Sequence, residues 1–456
     1  MRSLIFFQVS FINKVDLVNI HPVLSNRNFY QIFVDRFYKD ETNDNPRINI
    51  KWGDKVSVNS LAGGTIRGID EKLDYISSLG VNALYLTPIS EANTNHKYDT
   101  IDYFKVAKDF GDETDLKNLV EHAHKRNMII LLDGVYNHVS TSFFAFQDVK
   151  KNGRKSRYFD WFYIDGDELR DDNYETFGLA KFLPRLNLNN VEVQNYLIEA
   201  GVHYVKNFNI DGYRLDVSDE IPHAFWIKFR LALEEVNKDI ILLGENWHDA
   251  HAYLNDGFKF DSIMNYAFTR DVLDFVAYQK IDVNTFKNRL VMNYFRYKTP
   301  VNYNLLNLLS SHDVPRFLSE CDGNIDRFLI GYALLYMQIG VPCLYYGDEI
   351  GMLGENDPDD RRCFEWDKTK WNVKINETIK KLINIHYFND LYLMNVRYEA
   401  DDEVFKLVRY DDKNCVTLFV NLSSKQKTYT NIGEVVLFNN YENGSLLPDG
   451  FFISIQ

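Results

Sequence analysis

The chain is predicted to fold as an α/β protein on a parallel (β/α)8 barrel (TIM barrel), with an insertion after the third strand and a small C-terminal antiparallel β domain. Eight short β-rich apolar runs recur between residues 29 and 349, and amphipathic segments of helical period separate several of them. These runs are apolar on both faces, as parallel strands covered by helices must be. A length of 456 residues favours one large domain with satellites over a single small core.

In chain order the strand candidates are "FYQIFVDRF" (29–37), "VNALYLTP" (81–88), "MIILLDGVYNH" (128–138), "IDGYRLDV" (210–217), "DIILLGENW" (239–247), "FDSIMNY" (260–266), "YNLLNLLSSHD" (303–313) and "VPCLYYGDE" (341–349). The helical candidates "EKLDYISSLG" and "TDLKNLVEHAHKRN" each end near a Gly or Asn, residue types suited to a helix C-terminus. Residues 139–209 break the alternation, being long, polar and aromatic ("RYFDWFYIDGDELRDDNYETFG") before a helix near "VEVQNYLIEAGVHYVKNF". After about residue 392, runs such as "VFKLVRY" and "CVTLFVNL" have the two-residue period of antiparallel strands. The expected organisation is a first barrel part at 1–138, an inserted domain at 139–190, a second barrel part at 191–391 and a β domain at 392–456. The polar stretch "YKDETNDNPRINIKWGDK" reads as a long loop.

Composition narrows the function. A formal net charge of −14 without a basic stripe argues against nucleic acid as a partner. The 33 Phe, 29 Tyr and 6 Trp are read mainly as core, although such rings also stack on sugars. Cys321, Cys343, Cys363 and Cys415 are widely spaced with no C-x-x-C pair, which argues against a zinc site or disulfide framework and suits a reducing compartment. The N-terminal "MRSLIFFQVSFINKVDL" is interrupted by Gln8 and Ser10 and lacks a small-residue cleavage site, so a first β-strand is expected rather than a signal peptide. No run approaches the roughly 18 apolar residues that span a membrane. A cytoplasmic protein with no membrane partner is expected, with secretion as the alternative.

Polar groups that are costly to bury collect at the strand ends. Asp133, Asn137 and His138 close the third candidate, Arg214 and Asp216 the fourth, Glu245 the fifth, and His312 and Asp313 the seventh. His96, Tyr98 and Asp99 follow the second. In a barrel the C-terminal strand ends converge on one mouth, where catalytic groups gather. Strand alternation puts Arg214 and Asp216 on the same face, and a neighbouring cation keeps a carboxylate ionised. A lone R-x-D would be an ordinary ion pair; the coincidence at five strands marks a site.

At this point the sequence resembles a known family. The stretches "DGVYNH", "GYRLDV", "GENWH" and "LLSSHD" are similar, in order and spacing, to the four short regions of the α-amylase family of retaining glycoside hydrolases. "LPRLN" at 183–187 resembles the fifth region of the neopullulanase, cyclomaltodextrinase and maltogenic amylase group. "FYQIFVDRF", "NHKYDTIDYF" and "YYGDEIGMLGENDPDDRR" extend the resemblance over about residues 28–370.

The resemblance implies Asp216 as nucleophile, Glu245 as general acid/base and Asp313 as a third carboxylate gripping sugar hydroxyls. It implies substrate contacts from His96, His138, Arg214 and His312, a stacking platform at Tyr98, and an aromatic on the leaving-group side at Trp247. Asp357 and Arg361 match positions that reach more distant sugars, while Asp133 and Asn137 are read as organising the site or touching substrate. The implied activity is endo-type cleavage of α-1,4 glucosidic bonds, with α-1,6 bonds as an additional linkage, in maltooligosaccharides, cyclodextrins, pullulan or starch. An exo-acting α-glucosidase, a transglycosylase resembling trehalose synthase and a non-catalytic sugar-binding homologue are the alternatives. No cofactor is expected for the chemistry, and the resemblance allows a structural calcium.

Three departures bear on that reading. The group's N-terminal β domain has no counterpart before "FYQIFVDRF" at residue 29, so a monomer or weak homo-oligomer is expected. The group's calcium site maps to Asp40, Asn43, Asn45 and Gly64, but its aspartate is here Thr65, which offers no carboxylate to a hard cation. After the nucleophile, "VSDE" replaces "VANE", with Ser218 and Asp219 facing the acceptor side, while Val217 matches relatives that accept both linkages.

Overall fold

The computed structural model describes residues 19–401, 403–430 and 432–456. The strand expected at 1–17 lies outside the described residues. From the first described segment the chain forms β1 (Phe29–Ile32), β2 (Ala83–Leu86), β3 (Ser90–Ala92), β4 (Thr100–Val106), β5 (Ile129–Gly134), β6 (Gly212–Leu215), β7 (Ile241–Gly244), β8 (Ser262–Ile263), β9 (Leu306–Asn307) and β10 (Val341–Tyr345). Eight of these make one parallel sheet in the order β8-β7-β6-β5-β2-β1-β10-β9. Met264, just past β8, bridges Leu306 of β9 in parallel and joins the two ends. All eight strand candidates therefore belong to the barrel, although β8 and β9 are only two residues long.

Alternation along each strand builds two cores. Phe29, Ala83, Tyr85, Leu131, Ile241, Leu243, Val341 and Cys343 pack together inside the barrel. Their neighbours Tyr30, Leu84, Ile130, Tyr213, Leu242 and Leu344 belong to the larger core between strands and helices. That division is why the strands read as continuously apolar.

The surrounding helices include α1 (Glu113–Lys125), α2 (Val191–Phe208), α3 (His223–Glu234), α4 (Ile325–Met337) and α5 (Val373–Phe388). α1 begins in a capping box in which Asp112 accepts from the Asp115 N–H and Asp115 accepts from the Asp112 N–H. α2 ends on Asn209 in the left-handed conformation, at φ 57°. The segment between β5 and α2 holds a short helix (Phe144–Asn152) followed by irregular chain, tied back by the His138–Arg185 bridge and the Leu186 N–H to the Asn137 carbonyl at 3.0 Å. One element was not anticipated: β3 and β4 form an antiparallel hairpin whose loop carries His96 and Tyr98.

The C-terminal strands β11 (Asn395–Asp401), β12 (Val404–Tyr410), β13 (Cys415–Asn421), β14 (Lys427–Thr428), β15 (Glu434–Glu442) and β16 (Ser445–Ile455) form an antiparallel sheet. Arg409 in β12 is fully buried and donates to the carbonyls of Met337 and Gln338 from the barrel and of Leu391, Met394 and Asn395 from the connection. Among the described residues the four cysteines are free.

Candidate active site

Register assembles the centre of the site. Asp133 at the end of β5 lies beside Arg214 in β6, and Asp216 follows two residues later on the same face. Arg214 Nη1 is 2.9 Å from Asp133 and 2.8 Å from Asp216. Its Nη2 is 2.9 Å from Glu245, which follows β7, and 3.6 Å from Asp313, which follows β9. The three carboxylates named from sequence thus surround one buried guanidinium, together with Asp133.

The expected pairing of Arg214 with Asp216 is present, but the same positive charge is shared by four carboxylates. In a buried site one cation offsets only part of the charge of its carboxylate neighbours. Burial pushes the Asp216 carboxyl well upward; Arg214 opposes this and the neighbouring carboxylates reinforce it. Burial moves Asp133 up to about 6 against Arg214 and two tyrosine hydroxyls. Asp313 is raised by burial, with Arg214 and Arg361 opposing.

His312 is fully buried, and burial followed by the Arg214 charge holds the imidazole neutral. The amide of Gln31 donates to its Nδ1 at 2.6 Å, leaving the ring proton on Nε2. That nitrogen lies 3.2 Å from Asp313 and contacts the Tyr98 hydroxyl, which donates to Asp133 at 2.8 Å. Tyr98 also stacks flat on His312, with ring centroids 5.5 Å apart. His138 stacks on Phe177 at 4.7 Å, and neither ring nitrogen has a hydrogen-bond partner among the described residues, while burial lowers its pKa to about 4. His96 accepts the Tyr98 N–H at 3.1 Å and is brought down to about 3 by burial and Arg361.

On the other side of Glu245, Trp247 lies parallel to Tyr266 at 3.7 Å and donates its indole N–H to Glu245 Oε1 at 3.0 Å. Trp247 is 38% exposed. Arg361 bonds the His312 carbonyl at 2.7 Å and pairs with Asp357 at 3.0 Å. Asn137 is fully buried, and neither side-chain end has a hydrogen-bond partner among the described residues.

Several supporting residues escaped the sequence reading. Tyr85 donates to Asp133 at 2.7 Å, and Gln31 orients His312. The only trace of Gln31 was one polar residue inside an apolar run. Val217 holds a left-handed backbone at φ 47°, uncommon for a β-branched residue, and its N–H donates to Glu245 Oε2 at 2.9 Å. Nothing local in the sequence marks that geometry.

The expected calcium position does not present the free oxygens a hard cation takes. Asp40 accepts the Thr42 N–H at 3.0 Å, the Thr42 hydroxyl and the Thr65 hydroxyl at 2.6 Å. The Asn43 and Asn45 side-chain oxygens accept the N–H groups of Asn45 and Arg47, each at 3.0 Å. Positive charge is already present: Lys97 pairs with Asp109, as does Arg47 at 2.8 Å, and Arg67 bonds Thr42 at 2.7 Å. Gly64 has a steric role instead, since a Cβ there would meet the Val34 carbonyl at 2.2 Å.

Comparison with known proteins shows the family and the fold. Residues 31–409 match the family described as "Alpha amylase, catalytic domain". The chain is 40% identical over 432 residues to a cyclomaltodextrinase of Geobacillus thermopakistaniensis, covering 92% of this chain and 73% of that protein. It is 37% identical over 439 residues to neopullulanase 2 of Thermoactinomyces vulgaris, covering 94% and 75%. Its fold superposes on the ligand-free cyclic α-maltosyl-(1→6)-maltose hydrolase of Arthrobacter globiformis with a TM-score of 0.89 at 30% identity, covering 96% of this chain and 100% of that one. The match over most of the chain, on a barrel whose mouth gathers these carboxylates, shows that the chain belongs to the alpha-amylase family of glycoside hydrolases.

Proposed function

We propose that the protein is a retaining, endo-type hydrolase of α-glucosidic bonds in cyclodextrins and maltooligosaccharides. The observation that carries this reading is the grouping of Asp216, Glu245 and Asp313 around Arg214, with the partly exposed Trp247 bonded to Glu245. Asp216 attacks the anomeric carbon, and Glu245 protonates the leaving oxygen before activating the water that releases the sugar. Asp313 and His312 bind hydroxyls of the ring under attack, and His138 offers ring nitrogens that have no partner among the described residues. Trp247 receives the leaving-group sugar, and Asp357 and Arg361 contact sugars further along. The names of the cyclomaltodextrinase and neopullulanase relatives support cyclic glucans and pullulan as substrates.

The decisive experiment is a product time course with maltotriose, β-cyclodextrin, pullulan and starch, with Glu245→Gln as control. Faster attack on β-cyclodextrin and pullulan than on starch, with the α-anomer released first, is expected. Starch as the best substrate would indicate an ordinary α-amylase, glucose alone from maltotriose an exo-acting glucosidase, and the β-anomer an inverting mechanism.

We also propose that the loop following β1 is held without a divalent cation, through the Thr42 and Thr65 bonds to Asp40 and the nearby Arg67. Among the described residues no helix is long and apolar enough to cross a membrane. A cytoplasmic location is supported by the relative named intracellular maltogenic amylase from Bacillus subtilis.

A further inference from the structure

Behind the catalytic floor lies a group of buried polar atoms with no part in the chemistry above. Asp360 is fully buried in the turn Asp359–Arg361, and neither carboxylate oxygen has a hydrogen-bond partner among the described residues. The Tyr345 hydroxyl, Arg316 Nη2 and Gln31 Oε1 are likewise unpartnered. Contacts connect the set: Gln31 and Tyr345 are register partners across β1 and β10, and the Arg316 guanidinium lies 4.5 Å over the Tyr345 ring. Arg316 Nε donates to the Asp360 carbonyl at 3.0 Å, while Nη1 is engaged by Tyr346 and Asp348.

Arg361 links this group to the site. It pairs with Asp357 at 3.0 Å, lies 3.6 Å from Asp313 and bonds the His312 carbonyl, yet its Nε is also 3.9 Å from Asp360. One guanidinium therefore faces three carboxylates, two at the substrate side and one behind it. A carboxylate buried without a donor is costly to ionise. Burial accordingly pushes Asp360 up to about 8, with Arg361 opposing.

We propose that Asp360 is a positioning residue that sets the pose of Arg361 from behind the site. Neutral, it leaves Arg361 to Asp313 and Asp357; ionised, it draws the guanidinium away from both. The charged and titratable groups facing it are Asp357 and Arg361 from its own loop, Asp313 and Arg316 from the loop after β9, and Tyr345 and Tyr346 at the end of β10. The functional half of this inference rests on the hydrolase reading.

The test is Asp360→Asn, which keeps the shape and cannot ionise. KM for β-cyclodextrin is expected to rise several-fold from pH 7 to 9 in the wild type, with kcat changing less, and to stay flat in the variant. Matching KM profiles would overturn the positioning role. Unfolding temperature supplies an arm that needs no substrate. The folded carboxyl titrates near 8 and the unfolded one near about 3.9, so its stabilising contribution is complete below the lower value and is lost as pH rises through the higher. The variant's advantage over wild type should therefore widen between pH 5 and 9, and a constant difference would overturn the buried titration. A wild type inactive on every glucan, with the widening intact, would overturn the hydrolase reading and the positioning role together while leaving the titration established.

Discussion

Arg214 shows how much a single side chain organises. Its two terminal nitrogens reach four carboxylates, an arrangement that needs a planar fork rather than a point charge. Arg214→Lys should therefore lower kcat by roughly 10²-fold or more, read by steady-state hydrolysis of β-cyclodextrin. Asp216→Asn and Glu245→Gln should each reduce kcat by several orders of magnitude while unfolding temperature stays near wild type. Turnover close to wild type in either would remove it from the chemistry. Tyr85→Phe should cost about 1–2 kcal/mol of stability in denaturant titration, because it strips a donor from buried Asp133. The pairing of Arg214 with Asp216 was legible because a strand has period two. Tyr85 and Tyr266 were not, since a tyrosine in an apolar run reads as core until its hydroxyl or ring is seen to have a partner.

At the scale of elements, the barrel strands were legible because both faces are apolar, whereas the β3–β4 hairpin was hidden in a motif that reads as a polar loop. The loop after β1 gives a chelation test. Excess EDTA should leave the unfolding temperature unchanged, because hydroxyls, backbone N–H groups and cationic side chains already engage Asp40, Asn43, Asn45 and Asp109. Thr65→Asp would set a second carboxylate beside Asp40 while remaining a good helix cap, so added calcium should raise the melting temperature of that variant alone. A calcium-dependent rise in the wild type would refute the cation-free loop.

Across the whole molecule, the barrel and the C-terminal sheet are coupled through buried polar groups as well as apolar contact. Arg409→Met would leave five backbone carbonyls without their donor, so a loss of about 3 kcal/mol or more is expected in chemical denaturation. His386, buried between α4 and α5, donates from Nδ1 to the Tyr336 carbonyl at 2.8 Å. Burial lowers its folded pKa to about 4, below the unfolded value of about 6.5. The neutral ring therefore contributes stability that is present above the unfolded value and lost as pH falls through the folded one. The gap in unfolding temperature between wild type and His386→Gln should narrow from pH 7 to pH 4, and calorimetry on both proteins checks it.

The sequence by itself determined the eight-stranded parallel plan, the antiparallel C-terminal sheet and which carboxylates gather at the barrel mouth. These follow from period, apolarity and order, which are local properties. Tertiary structure alone decided that Arg214 is shared, that Gln31 sets the tautomer of His312, that Val217 turns its N–H onto Glu245, and that Asp360 is stranded behind Arg361. Each of those depends on side chains brought together from strands far apart in the chain, and on the burial that only the closed barrel creates. Desolvation and the sharing of one charge are properties of that enclosed space, so no stretch of residues carries them.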